Sequence, residues 1–195
     1  MRKIPPEDKH INLLLDLAGP FGQSPQYDRM AAILGAAFLE YALKKAIKHH
    51  LKPDKNDPEY SYLFSQDDAP YRAFAALNRL ARAIGIIEQW EYDHLETIRH
   101  LRNTFAHSMD GAITFDSDGV AASCDDLTIG EGKVYGMVLG SIVGYLDTDI
   151  RLVGRRRIFV LAVFHYYHKL ILYHPKGLAH LLFDGLAKPA DAIDK

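Results

Sequence analysis

Apolar residues recur at intervals of three and four positions along most of this chain. A long helix is predicted to begin after Ser24, with Pro25 in its first turn, where a missing backbone N–H does no harm. Its apolar positions cover a broad arc, which is typical of a central helix packed on more than one side. These positions are Met30, Ile33, Leu34, Ala37, Phe38, Leu39, Tyr41, Leu43 and Ile47. A short helix over residues 10–18 is predicted ahead of it.

Three more helices are predicted further along: from residue 68 or 70 to Ile84, from about Tyr92 to His107, and from about Arg155 to Tyr173. Residues 53–58 indicate a loop, because a proline stands at each end. The short alternating runs 112–115 and 120–123, separated by turn-forming residues, indicate a small β-hairpin. Residues 130–144 include five glycines, and we expect an irregular or strand-like segment there. The predicted fold is mainly α: residues 1–195 form one helical bundle with a small hairpin.

Composition limits the class of protein. Hydrophobic residues make up 48% and charged residues 25%, as in ordinary globular chains, and the net charge of −2 lacks the basic balance of most nucleic-acid binders. The single cysteine, Cys124, excludes an intramolecular disulfide and a cysteine-built zinc site. The most apolar run, 158–172, is interrupted by three polar side chains and is shorter than the roughly 20 residues of a membrane span. We therefore expect a soluble cytoplasmic protein.

Two side-chain clusters invite a binding interpretation. His165 and His168 lie one helical turn apart, but a metal site needs three or four ligands and no acidic ligand stands nearby, so we expect no metal and no cofactor. The dense basic patch of Arg155, Arg156 and Arg157 at a helix start would suit phosphate contacts. A solvated basic face is the commoner explanation of such a patch.

The hexapeptide from Arg102 to His107, RNTFAH, carries the chemistry that matters most. Arginine can hold a phosphate and histidine can transfer a proton near neutral pH, so metal-free RNA cleavage is one interpretation, with Asn103 orienting either group. On a helical wheel Arg102 lies about 50° from the core direction and about 140° from His107. The two would meet only if the helix unwound or a second subunit contributed. The structural alternative is a partly buried Arg102 paired with Asp28 or Glu40.

An ordered series of short segments resembles the mannitol operon repressor (MltR-like) family of bacterial proteins. The segments are DRMAAI at 28–33, AAFLE at 36–40, AIGII at 83–87, IR at 98–99, RNTFAH at 102–107 and CDDL at 124–127. The resemblance is strongest over residues 28–127 and departs from the family in the glycine-rich stretch 130–152. It implies an α-helical bundle, a role in transcriptional regulation and no helix-turn-helix, and it marks a set of motif residues: Asp28, Arg29, Glu40, Arg102, Asn103 and His107.

The hexapeptide is also similar to the Arg-x4-His motif of the HEPN superfamily, which contains metal-independent ribonucleases that act as dimers. That likeness implies phosphate binding by Arg102, proton transfer by His107 and a supporting role for Asn103. Our leading prediction is a non-enzymatic regulator that works through a protein partner or homodimer and does not read DNA directly. The alternative is a metal-independent endoribonuclease whose site pairs across a dimer.

Overall fold

The computed structural model describes residues 24–52, 58–64, 69–108, 111–127 and 154–172. These residues contain six helices: α1 (Pro25–Leu51), α2 (Pro58–Phe64), α3 (Phe74–Ala83), α4 (Gln89–His107), α5 (Val120–Asp125) and α6 (Arg155–Leu172). Within the described ranges there is no strand, so the predicted helical bundle is confirmed. The predictions for residues 10–18 and 130–152 lie outside the described residues. None of the described helices has the length and apolar character that crossing a membrane requires.

Helix α1 is central: it packs against α6, α4 and α3, while α5 packs against α6 and α4. Its buried side is rich in small residues, which let neighbouring helices approach closely: Ala31, Ala32, Gly35, Ala36, Ala42 and Ala46. A Cβ added at Gly35 would lie 3.0 Å from both Phe159 Cε1 and Val163 Cγ2 of α6. Part of the broad apolar arc therefore reflects packing of α1 against three other helices, whereas Met30, Ile33 and Tyr41 of that arc are exposed.

Aromatic rings join the end of α4 to α6. The ring centroids of Phe105 and Phe115 lie 4.8 Å apart, and those of Phe115 and Phe159 lie 5.0 Å apart. All three side chains are buried, in the range of separations at which aromatic pairs attract one another. The segment between α4 and α5 is thus part of the hydrophobic core.

The predicted β-hairpin over residues 112–123 is wrong. Residues 111–119 form turns, and α5 replaces the second strand. Gly119 is the N-cap of that helix, and the Ser117 carbonyl just before it accepts hydrogen bonds from Val120 N at 3.1 Å and from Ala121 N at 3.0 Å. Val120 and Cys124 are buried at a spacing of four, which is the helical period. Alternation of apolar and polar residues over only four positions is compatible with a strand and also with a short helix.

The helix boundaries agree with the sequence at the start of α1, the start of α6 and the end of α4, whereas α3 begins at Phe74, four to six residues later than predicted. Ser24 is the N-cap of α1 and Pro25 opens its first turn, although the serine side chain makes no capping hydrogen bond. Helix α4 begins three residues earlier than predicted, because Glu88 and Glu91 form a capping box in which each bonds the backbone of the other. Helix α2 was not predicted; Pro58, taken as a loop marker, is its first residue.

Candidate functional site: the end of helix α4 and the cleft beside it

The hexapeptide forms the last turns of a regular helix. Ser108 N donates to Thr104 O at 3.0 Å, so α4 does not unwind near Phe105. Arg102 and His107 are both exposed and Asn103 is half-buried. Five positions on a regular helix separate two side chains by about 140°. Within one chain, therefore, the arginine and the histidine do not face a common point.

Arg102 does not occupy the buried position that the wheel suggested, and the prediction of its partial burial is wrong. Its Nη1 donates to Asn103 Oδ1 at 2.9 Å, and among the described residues no carboxylate lies within ion-pair distance of it. Leu101 and Phe105 fill the core side of this turn. A long arginine side chain beside such a core can extend its charged end into water.

The buried arginine–carboxylate pair exists elsewhere. Asp28, only 8% exposed, accepts hydrogen bonds from Phe115 N at 2.9 Å and from Arg156 Nη1 at 3.3 Å. Burial raises the pKa of Asp28, and the bonds from Phe115 and Arg156 oppose that rise only in part. Arg156 is therefore the partner that the sequence argument sought in Arg102.

Arg29, the next residue, holds the end of the hexapeptide helix. Its Nε donates to Phe105 O at 2.9 Å, and its Nη2 donates to Ser108 O. The last carbonyls of a helix have no partner within the helix and carry its negative end of the dipole, so a guanidinium stabilises them. Sequence reasoning missed this role, because the bonded residues lie 76 and 79 positions away.

The basic patch at the start of α6 is largely engaged with aspartates. Arg155 binds both oxygens of Asp125, at 2.8 and 3.0 Å, and also Asp116 at 2.9 Å. These bonds hold the pKa of Asp125 below its usual range. With Arg156 bound to Asp28, two of the three arginines proposed for phosphate contacts tie α6 to earlier segments. Arg157 is half-buried beside them.

A cleft of about 550 Å³ lies between α1, α3 and α4, and a smaller cavity of about 220 Å³ adjoins it. Glu40, Phe74, Arg99 and Arg102 line both spaces, so the two are continuous. We call the larger space the arginine cleft; its polar lining residues are Glu40, Arg72, Arg99, Arg102 and Asn103. Glu40, Arg102 and Asn103, named as motif residues from the sequence, thus meet here, whereas Asp28 and Arg29 belong to the buried network and His107 lies on another face.

Glu40 is the one carboxylate of the cleft lining. It is half-buried, and desolvation raises its pKa, although Arg102, Lys44 and Arg72 pull that pKa down. Among the described residues Glu40 makes no hydrogen bond or ion pair within contact distance. Arg99 is held at the rim by two bonds to Glu96 Oε2, at 3.0 and 2.9 Å. Burial alone would raise the pKa of Glu96, but bonds from Arg99 and Asn78 lower it.

His165 and His168 lie in the C-terminal half of α6, and His94 lies on α4. His94 Nδ1 lies 2.7 Å from the Tyr166 hydroxyl oxygen. Burial lowers the pKa of His94, His165 and His168. Across the described ranges no group of three or more histidine, cysteine or acidic residues is arranged to hold a metal ion.

Comparison with known proteins gave one structural likeness. No protein-family model matched the sequence, and no curated protein was significantly similar to it. The fold is of the MtlR type. A chain of the MtlR–HPr complex from Escherichia coli superposes with a TM-score of 0.57 and 18% sequence identity, covering 84% of this chain and 99% of that one. At this identity the likeness shows the fold, and it agrees with the helical bundle implied by the family resemblance.

Proposed function

We propose that this chain is a transcriptional regulator of the mannitol operon repressor type that acts by binding another protein. The observation that carries the proposal is the fold: almost the whole of a protein solved in complex with HPr superposes on this chain. The ordered motif series supports the same assignment. The net charge of −2 and the absence of a recognisable helix-turn-helix support an indirect mode of action on DNA.

An exposed apolar face of α1 offers a surface for that partner. Within the described residues, four of the seven large hydrophobic side chains that are exposed lie on this face, at Tyr27, Met30, Ile33 and Tyr41. Their spacing places them within about a third of the helix circumference. Exposed large apolar side chains grouped on one helix face are typical of a protein-contact site. We assign this face to HPr, or to an HPr-like protein of the same organism.

The test is a calorimetric titration of the purified chain with HPr from its own organism. Met30→Glu places a charge in the middle of the apolar face and should abolish binding. Tyr62→Glu alters an equally exposed side chain on α2, and binding should persist. An absence of HPr binding would contradict the partner. Nanomolar, sequence-selective binding of operator DNA by the chain alone would contradict the indirect mode.

A second candidate function is metal-independent RNA cleavage by Arg102, Asn103 and His107. The observation that favours it is the exposed Arg102, which is bonded to Asn103 and stands outside the buried ion-pair network. Because α4 separates Arg102 from His107, the site would need a second chain to bring them together. Incubation of RNA with the protein in chelator tests this. Cleavage should disappear in His107→Ala and persist in His100→Ala, an exposed histidine of the same helix; intact RNA would exclude the activity.

A further inference from the structure

We infer that the arginine cleft binds a small organic anion that also carries hydroxyl groups. The inference is independent of the proposed protein docking. It begins from the cleft itself, whose volume of about 550 Å³ falls within the range of small-molecule sites, roughly 300–1,000 Å³. The adjoining cavity of about 220 Å³ extends the space toward α1.

The charges of the lining define one end of the ligand. Three arginines, Arg72, Arg99 and Arg102, line this space, and its lining contains one carboxylate. Arg99 donates from Nε and Nη2 to Glu96, and Arg102 donates from Nη1 to Asn103 Oδ1, so both side chains are restricted before any ligand arrives. Oriented guanidinium groups bind carboxylates and phosphates through paired hydrogen bonds. The anionic group of the ligand therefore lies between these arginines.

Glu40 defines the other end. Its half-buried carboxylate lines both the cleft and the adjoining cavity and, within the described part of the chain, has no hydrogen-bond donor of its own. A charged carboxylate oxygen is a strong hydrogen-bond acceptor, and a ligand hydroxyl in the cleft supplies a donor for it. Phe74, Ala36 and Ala37 add an apolar wall that suits the carbon chain between the two polar ends. The matching ligand is a hydroxylated phosphate monoester or carboxylate.

Calorimetry with four probes tests the site: glucose 6-phosphate, gluconate, methyl phosphate and glucose, in a buffer without phosphate. We expect glucose 6-phosphate or gluconate to bind, and whichever binds more tightly identifies the anionic group. Methyl phosphate should bind more weakly because it has no hydroxyl, and glucose should not bind because it has no charge. No saturable binding of either hydroxylated anion up to about 10 mM, an affinity worth less than about 3 kcal/mol, would overturn the inference.

Three variants assign the binding to the cleft. Arg102→Gln should lower the affinity for the hydroxylated anion at least about tenfold, as expected for loss of a hydrogen bond from a charged group. In Glu40→Ala the hydroxylated anion should no longer bind more tightly than methyl phosphate, because the acceptor for its hydroxyl is gone. Arg79→Gln, an exposed arginine of α3 outside the cleft, should leave binding within about twofold. Equal weakening in Arg79→Gln and Arg102→Gln would show nonspecific counterion binding and overturn the site. Each variant is first checked for its circular dichroism spectrum.

Discussion

Replacing Asp28 with alanine should destabilise the fold strongly, whereas the same change at Asp125 should have little effect. Both carboxylates bind an arginine of α6, but their surroundings differ. The side chains of Asp28 and Arg156 are 11% and 16% exposed, against 53% and 34% for Asp125 and Arg155. Water replaces a lost partner at an exposed pair and cannot do so at a buried one. The comparison therefore contrasts a buried carboxylate network, which includes Phe115 N, with an exposed ion pair.

The magnitude follows from what Asp28→Ala leaves behind. Phe115 N loses its acceptor in a buried position, which costs about 1–3 kcal/mol. Arg156 keeps its charge without Asp28, and one-sided loss of a buried pair costs about 3–5 kcal/mol in all. Burial raises the pKa of Asp28, so removal of the carboxylate also relieves some desolvation cost. We therefore expect Asp28→Ala to lower the free energy of unfolding by about 3 kcal/mol, the lower end of that range.

Urea denaturation followed by circular dichroism measures the free energy of unfolding, provided that the m-value stays constant. A double-mutant cycle with Arg156→Met separates the pair from other contacts of the arginine, and the two changes should show a coupling of about 1–3 kcal/mol. An Asp28→Ala protein within about 0.5 kcal/mol of the wild type would refute the argument that this network holds the fold together.

Three further predictions concern other parts of the molecule. Arg102→Ala should change the unfolding free energy by less than about 0.5 kcal/mol because its side chain is exposed; a large drop in melting temperature would restore the buried-pair interpretation. Burial lowers the pKa of His168 below its usual 6.5, so the unfolded chain takes up this proton first and stability falls as pH drops through 6.5. Urea titrations between about pH 7.5 and 5.5 give the unfolding free energy as a function of pH. Its change per pH unit should be smaller in His168→Phe than in the wild type by up to about 1.4 kcal/mol, and an equal change in both proteins would contradict this. Gly35→Leu should cost about 1–3 kcal/mol by thermal or urea unfolding, because the new side chain meets Phe159 and Val163; unchanged stability would show that α1 and α6 can separate.

The long helices were predictable because their signals are local. The N-cap and first turn of α1, at Ser24 and Pro25, and the end of α4 at His107 were all placed correctly from neighbouring residues. Broad apolar arcs also indicated that α1 is central. The position of Arg102 was less predictable, since a wheel gives the direction of Cα–Cβ and a long side chain can turn away from it.

The segment after α4 was mispredicted because long-range contacts determine its structure. Asp28 binds Phe115 N across 87 positions and Arg156 across 128. No local pattern distinguishes that partner from Arg102, the one chosen from the sequence. The arginine cleft was hidden for the same reason: Arg72 and Arg99 were not singled out, and only packing of α3 beside α4 brings them to Glu40.

Adjacent residues of α1 explain how an exposed motif can have a fixed position. Asp28 binds the segment before α5 together with α6, and Arg29 binds the last carbonyls of α4. The hexapeptide backbone is thus held from inside, while the side chains of Arg102 and His107 lie at the surface, so we expect their replacement to cost little stability. A binding surface needs a supported backbone with exposed side chains, because those side chains must be held in position and still be accessible to a partner. It also means that surface substitutions can test binding or cleavage in a folded protein, whereas changes at Asp28 or Arg29 would remove the support on which either function depends.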